Sequence, residues 1–255
     1  MPQPTVYIRE VTPTVHILST QFKRFGIIPL GGRCTIFKLR DGGLVAISPI
    51  NLECGGSSDT LNYVKNTLGG DLRLIVAPDL AHWMYLSQWK KEFPNAKIIG
   101  IEGQDAVCSN TVEFDDFFTK TTDCEEIARK YNVEGQISFV YFPGFVGKDV
   151  VVYHHESKSL AEADLIFNLP AKEQYGGVSP STIMNKMHAS SVWTQRFLWN
   201  FGVKDKIDTS VKAKKVAALD ITRIIPCHGD VLKMVTWHGI SAFNVFLRCN
   251  GIKVF

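Results

Sequence analysis

The stretch Ile224-Ile225-Pro226-Cys227-His228-Gly229-Asp230 is an apolar run that climbs to a proline and stops at His-Gly. It reads as a buried strand that presents an imidazole at its end, with the glycine letting the backbone turn sharply behind it. Two earlier apolar stretches also end near a ligand-type residue. They are Leu74-Ile75-Val76-Ala77-Pro78-Asp79-Leu80-Ala81-His82 and Leu160-Ala161-Glu162-Ala163-Asp164-Leu165-Ile166-Phe167. Convergence of the three predicts a cluster of His82, Asp164 and His228. Two imidazoles and a carboxylate are a ligand set for one divalent metal ion, with positions left open for water or substrate.

Working outward, the chain has 255 residues, enough for one large domain or two small ones. With 45% hydrophobic and 21% charged residues it predicts a sizeable core and argues against disorder. A net charge of +3 is too small to argue for nucleic acid, and the Lys-rich patch Lys204–Lys215 reads as a solvated helix face. The six cysteines are widely and irregularly spaced, with no CxxC, and read as reduced thiols rather than a disulfide frame. Neither a signal peptide nor an apolar run of about 18 residues is visible, so the expectation is a cytoplasmic protein with no membrane span.

In order along the chain, residues 6–18 alternate partially, as one or two strands broken at Thr12-Pro13. Residues 20–33 are loop-like but carry Phe22, Phe25, Ile27, Ile28 and Leu30. Cys34–Leu39 and Leu44–Ser48 flank Asp41-Gly42-Gly43, a hairpin signal. Asp59–Leu68 has helical spacing, Leu72–Ala77 is a buried strand, His82–Phe93 is an aromatic-rich helix and Lys97–Ile101 a strand. Residues 103–136 show little periodicity apart from a helix at Glu125–Tyr131. Strands follow at Ile137–Phe142, Val150–His155 and Ser159–Phe167, helices at Val192–Trp199 and Thr209–Leu219, a strand at Arg223–Pro226 and a last helix near Trp237–Leu247. Hairpins alternating with helices, twice over, predict an α/β fold of the four-layer αββα kind.

The order of these motifs resembles the metallo-β-lactamase superfamily, more closely a divergent branch of unassigned function that is common in fungi. The resemblance is carried by Gly32-Arg33-Cys34-Thr35, Leu39-Arg40-Asp41-Gly42-Gly43-Leu44, Ser48-Pro49, Ala77-Pro78-Asp79 with His82, Trp89 with Phe93-Pro94, Ala163-Asp164-Leu165-Ile166-Phe167-Asn168 and His228-Gly229-Asp230. It runs over nearly the whole chain and implies a single αββα domain over 1–255 with a metal site along one edge. The chain also departs from the superfamily's HxHxDH motif. Pro78 and Leu80 replace its first two histidines, His82 takes the Asp position and Trp83 that of the last His. A later Gly-His pair is Gly144-Phe145 here. The bridging Asp and the final His survive as Asp164 and His228. With His82 they rebuild one of the two usual metal positions, so the resemblance implies a single-metal site.

Several further residues are candidates. Asp79 is either an extra ligand or hydrogen-bonding support for one, or a helix N-cap. Trp83 follows His82 directly and is placed to wall off the empty metal position. Arg33 after Gly31-Gly32, Tyr175 on a Gly-flanked segment and His188 are candidate substrate contacts. His154 and His155 are read as exposed or core, His16 and His238 as structural, and Cys227 as a buried small hydrophobe. The expected activity is hydrolysis of an ester, lactone, thioester or related acyl bond of a small, partly apolar molecule. Water on the ion held by His82, Asp164 and His228 attacks, with Asp79 or a histidine moving the proton. Zinc is the first choice of metal, and iron or manganese also suits two His and one carboxylate. The alternatives are a binding protein that kept the fold and lost catalysis, and an Fe(II) or Mn(II) lyase or oxygenase. The expected partner is a small molecule, not nucleic acid or a membrane; a homodimer is compatible with the sequence.

Overall fold

Alternation along two strands sorts the whole core. Leu44 and Ala46 pack on one side and Val45 and Ile47 on the other; Val150 and Val152 face one way, Val151 and Tyr153 the other. Strands buried on both faces must be covered on both faces, which requires helices outside and a second sheet inside. The computed structural model describes residues 5–53, 59–109, 111–181 and 183–233. The predicted helix at Trp237–Leu247, His238, Cys54 and Cys249 lie outside these residues.

The first sheet contains β1 (Val6–Thr12) and β2 (Val15–Thr20). A small separate hairpin follows, β3 (Lys23–Arg24) with β4 (Ile28–Pro29). The first sheet resumes with β5 (Gly32–Lys38), β6 (Leu44–Ile47), β7 (Leu72–Val76), β8 (Lys97–Ile101) and β9 (Asp116–Phe118). Its seven strands run in the order β1-β2-β5-β6-β7-β8-β9, parallel from β6 onward. The second sheet has five, β10 (Ile137–Phe142), β11 (Asp149–His154), β12 (Ser159–Glu162), β13 (Arg223–Pro226) and β14 (Leu232–Lys233), in chain order. In it β12 and β13 are parallel and their neighbours antiparallel. The helices are α1 (Asp59–Asn62), which widens over Tyr63–Thr67, α2 (Leu86–Glu92), α3 (Gln104–Val107), α4 (Cys124–Lys130), α5 (Val192–Phe197), which widens over Leu198–Gly202, and α6 (Lys206–Ala217).

Three apolar layers hold these parts together. Between the sheets, Val45, Leu74 and Ile99 meet Phe139, Val152 and Ile225. Outside the first sheet, Val64, Leu86 and Trp89 cover Ile36, Ala46 and Ile75. Outside the second, Leu198, Ala213 and Val216 cover Val151, Leu160 and Ile224. Each fully buried aliphatic or aromatic side chain contributes roughly 2 kcal/mol from burial. Helix, sheet, sheet, helix is the expected αββα sandwich. No helix among the described residues is long and apolar enough to cross a membrane.

Several elements differ from expectation, among them the β3–β4 hairpin in the expected loop over 20–33 and the start of α6 at Lys206 rather than Thr209. The helix expected from His82 begins at Leu86, and 82–85 are turns. The strand expected over Ser159–Phe167 ends at Glu162. Carboxylates rather than a ladder take the next amides, Asp149 Oδ2 that of Asp164 at 2.7 Å and Glu162 Oε2 that of Ile166 at 3.0 Å. The aperiodic 103–136 segment adds α3 and edge strand β9 beside β8. The lysine patch does lie on α6, whose buried side is Thr209, Ser210, Ala213 and Val216.

Candidate metal centre

Parallel neighbours bring their C-terminal ends to the same edge of a sheet. Ser48 follows β6, Asp79 and His82 follow β7, Asp164 follows β12, and Cys227 and His228 follow β13. The two sheets face each other, so these loops meet.

The local geometry starts at Asp79, which is fully buried. Its Oδ1 accepts the amides of Ala81 at 2.7 Å and His82 at 2.9 Å, and faces His82 Nδ1 at 2.7 Å. A carboxylate only accepts, so His82 carries a proton on Nδ1, and Nε2 is the nitrogen left for a metal once it gives up its own proton. His228 is held in the same way, Nδ1 donating to the Gly31 carbonyl at 2.6 Å. Its ring lies between Phe22 and Phe167, with centroids 6.0 and 5.7 Å away. The two imidazoles stand 5.2 Å apart between centroids, and His228 Nε2 is 3.3 Å from Asp164 Oδ1. Ligand atoms of Asp79, His82 and Asp164 lie within 4.8 Å of one another, and so do those of His82, Cys227 and His228. Thus Asp79, His82, Asp164 and His228 lie close together; Asp79 is not the expected helix N-cap, because the helix starts at Leu86, and instead closes the turn at 79–82 and holds the His82 ring.

The loop that carries Cys227 and His228 is clamped from beneath. Arg33, buried in β5, donates Nη1 to the carbonyls of Pro226 and Gly229, both at 2.7 Å, and Nη2 to Glu173 at 2.7 Å. Gln174 donates to the Cys227 carbonyl at 2.7 Å and accepts the Gly229 amide at 3.0 Å. Gly229 has φ +100°, and a Cβ there would collide with the Asn168 carbonyl, so no other residue fits. Cys227 Sγ ends 3.2 Å from Ser48 Oγ and 3.4 Å from the Arg33 carbonyl.

Electrostatics single out the same atoms. Burial lowers the His82 imidazole, but Asp79 and then Cys227 outweigh it and hold it well above its ordinary value. Burial pushes the Cys227 thiol up, yet His82 and His228 pull it down to about 6. Burial, and then neighbouring carboxylates, push Asp149, Glu162 and Asp164 above the usual carboxylate range. Asp79 Oδ2, Asp149 Oδ1, Glu162 Oε1 and Asp164 Oδ1 are buried without a hydrogen-bond donor. Buried anionic oxygens are expensive unless a cation or proton compensates them. This donor set therefore fits a divalent ion.

A cleft of about 530 Å³ opens over the imidazoles. Phe22, Lys23, Arg24 and Phe25 form one wall, and Leu80, Trp83 and Met84 another. Of the expected substrate contacts, Trp83 and Arg33 border this cleft. The Arg33 guanidinium is engaged by protein on all sides described above. Tyr175 and His188 are not among the lining residues. The Tyr175 hydroxyl donates to the Phe22 carbonyl at 2.9 Å, and exposed His188 bonds Ser190 Oγ at 2.9 Å. His154 is stacked on Phe37 at the far end of β11, and His16 is bonded to Tyr63 at 3.0 Å.

Three residues at the centre escape a sequence reading: Cys227, Asp149 and Glu162. Cys227 was expected to be inert, and its adjacency to His228 was the available signal. Asp149 stands at the head of the Val150-Val151-Val152 run, an acid entering a buried strand. Glu162 interrupts the apolar stretch Leu160–Phe167.

No sequence-family profile matches the chain, and no curated protein matches it in sequence. Solved structures do. The DIM-1 metallo-β-lactamase exposed to ceftazidime superposes with a TM-score of 0.61 at 12% identity, covering 97% of each chain. The mono-zinc form of the FIM-1 metallo-β-lactamase from Pseudomonas aeruginosa gives 0.61 at 13%, covering 96% of this chain and 94% of that one. A variant flavo di-iron protein from Thermotoga maritima gives 0.61 at 14% over 96% of this chain and 62% of its own. With its two facing sheets, outer helices and strand-end centre, this chain has the metallo-β-lactamase fold.

Proposed function

We propose that the protein is a metal-dependent hydrolase that opens an ester, lactone, thioester or related acyl bond of a small, partly apolar molecule at a single-metal site of His82, Asp164 and His228. One observation carries this reading. Both imidazoles have Nδ1 committed to a fixed acceptor, which leaves Nε2 as the ligand nitrogen of each, and His228 Nε2 lies 3.3 Å from a carboxylate oxygen with no donor of its own. Metal-binding histidines are commonly oriented in this manner.

A divalent cation there supplies Lewis-acid polarisation of a carbonyl and lowers the pKa of water. The chain's own residues do the rest. Asp79 Oδ1 orients His82, while its buried Oδ2 has no hydrogen-bond partner. Trp83, Phe22 and Phe25 exclude water from an apolar substrate body. Lys23 and Arg24 line the same cleft, where the Arg24 charge also acts on Asp164, and this suits a substrate with an anionic end.

A second reading, a binding protein without catalysis, is favoured by Phe145. It stands where the superfamily's Gly-His pair would supply an imidazole, and it is buried in the outer core against Gly202. Metal analysis and an ester and lactone panel separate the two. The hydrolase reading expects about one equivalent of zinc, activity abolished by chelation, and loss of both metal and activity in His228→Ala. A metal-free protein inert on the panel would favour the binding protein.

A further inference from the structure

We propose that Cys227 is a fourth protein ligand of this centre, joining His82, Asp164 and His228, and that its sulfur selects zinc over manganese and magnesium. This rests on the metal reading above and adds to it a residue and a metal preference.

The sulfur is at the right place. A Cys227 Sγ, a His82 ring nitrogen and a His228 ring nitrogen lie within 4.8 Å of one another, and all three residues border the cleft. Asp164 Oδ1 lies 3.3 Å from His228 Nε2, and an Asp164 oxygen lies within 4.8 Å of a His82 ring nitrogen. The sulfur is also held there. Arg33 and Gln174 pin the carbonyls on either side of it and its own carbonyl, so residues 226–229 have little freedom.

An independent feature lies at Ser48. This non-glycine residue has φ +56°, a left-handed conformation that costs energy and persists where the surroundings impose it. Its hydroxyl ends 3.2 Å from Cys227 Sγ. Once the sulfur is a thiolate the Ser48 hydroxyl is the donor of this pair, and it would support the sulfur as Asp79 and the Gly31 carbonyl support the two imidazoles. Cys34, the other fully buried thiol of this region, lies in the sheet interior with its sulfur 3.9 Å from the Thr35 carbonyl, and joins no such group.

The chemistry follows from ligand type. Binding requires the thiolate, so Cys227 gives up its proton to solvent as the ion enters. One thiolate and one carboxylate balance a divalent charge inside a protein. Thiolate is a soft donor that favours zinc, whereas manganese and magnesium prefer oxygen.

X-ray absorption at the zinc edge of the zinc-loaded full chain tests this. A sulfur scatterer at about 2.3 Å is expected. Cys227→Ser should lose that scatterer and weaken zinc binding by at least about 10-fold, since even changes beyond the ligands cost 10–100-fold. Should the variant fail to fold, the wild-type chain still decides. Zinc should protect Cys227 from iodoacetamide in peptide mapping while leaving half-buried Cys124 as reactive as before, and cobalt(II) should show a sulfur-to-metal charge-transfer band. A zinc shell of nitrogen and oxygen alone, or a sulfur that persists in Cys227→Ser, overturns the proposal and leaves the three-residue site standing. A chain that binds no metal overturns both.

Discussion

Arg33 illustrates how a single side chain organises the centre without touching a reacting atom. It is buried in the first sheet, yet its donors go to Pro226, Gly229, Glu173 and Ser19, three of them outside its own sheet. Removing it would take this donor from the Pro226 and Gly229 carbonyls and leave Glu173 to Arg9 and the Val231 amide. Unpaired buried groups of this kind are costly, and breaking a buried pair is strongly destabilising. Arg33→Ala should therefore lose about 3 kcal/mol in urea unfolding. Arg33→Lys should recover little of it, because an ammonium cannot span the fork that these carbonyls occupy. A loss within about 0.5 kcal/mol, the size of an ordinary surface change, would refute the clamp.

At the scale of elements, the β3–β4 hairpin forms a two-stranded sheet of its own and lines the cleft. Phe25 and Ile27 at its tip are 79% and 77% exposed, an unusual place for large apolar side chains unless something covers them in use. Its base is propped by the Tyr175 hydroxyl on the Phe22 carbonyl, so Tyr175 acts on the cleft through the hairpin. Phe25→Ala should raise KM for an apolar substrate by about 10-fold, the loss of part of one side chain's burial. Its kcat and zinc content should stay unchanged. Tyr175→Phe should raise KM less. An effect confined to kcat would remove the hairpin from the substrate's path.

The whole molecule carries a cost at its centre that pH should reveal. Burial, followed by neighbouring carboxylates, raises Asp149, Glu162 and Asp164. A carboxyl with a raised folded pKa holds its proton more tightly folded than unfolded. Its contribution is present at low pH and is lost as pH climbs from the ordinary carboxylate range through the raised value. Cys227 and His82 oppose each other, because the proton that one gives up stays on the other. His16, His154 and His155 are lowered, first by burial, and have the opposite sign, but they finish titrating below neutrality. The metal-free protein should therefore show a thermal midpoint that falls as pH climbs out of the ordinary carboxylate range and past the histidines. Added zinc should raise the midpoint and flatten the slope. A metal-free midpoint that rises over that range would contradict the account.

Most of the strands and helices along the chain, and the strand-end positions of Asp79, His82, Asp164 and His228, were legible in the chain, because apolar periodicity and strand-end residues are local signals. Strand-ending runs such as Leu72–Ala77 and Arg223–Pro226 carry their burial in their own composition. The start of α2, the end of β12 and the roles of Cys227, Arg33, Asp149 and Glu162 were not legible. Each depends on a partner far away in sequence: Arg33 meets a loop nearly 200 residues on, and Cys227 meets Ser48 and His82. Whether a thiol is an inert filler or a ligand, and whether an arginine greets a substrate or clamps a loop, is set by what packs against it. Packing across two sheets exists only in the folded molecule.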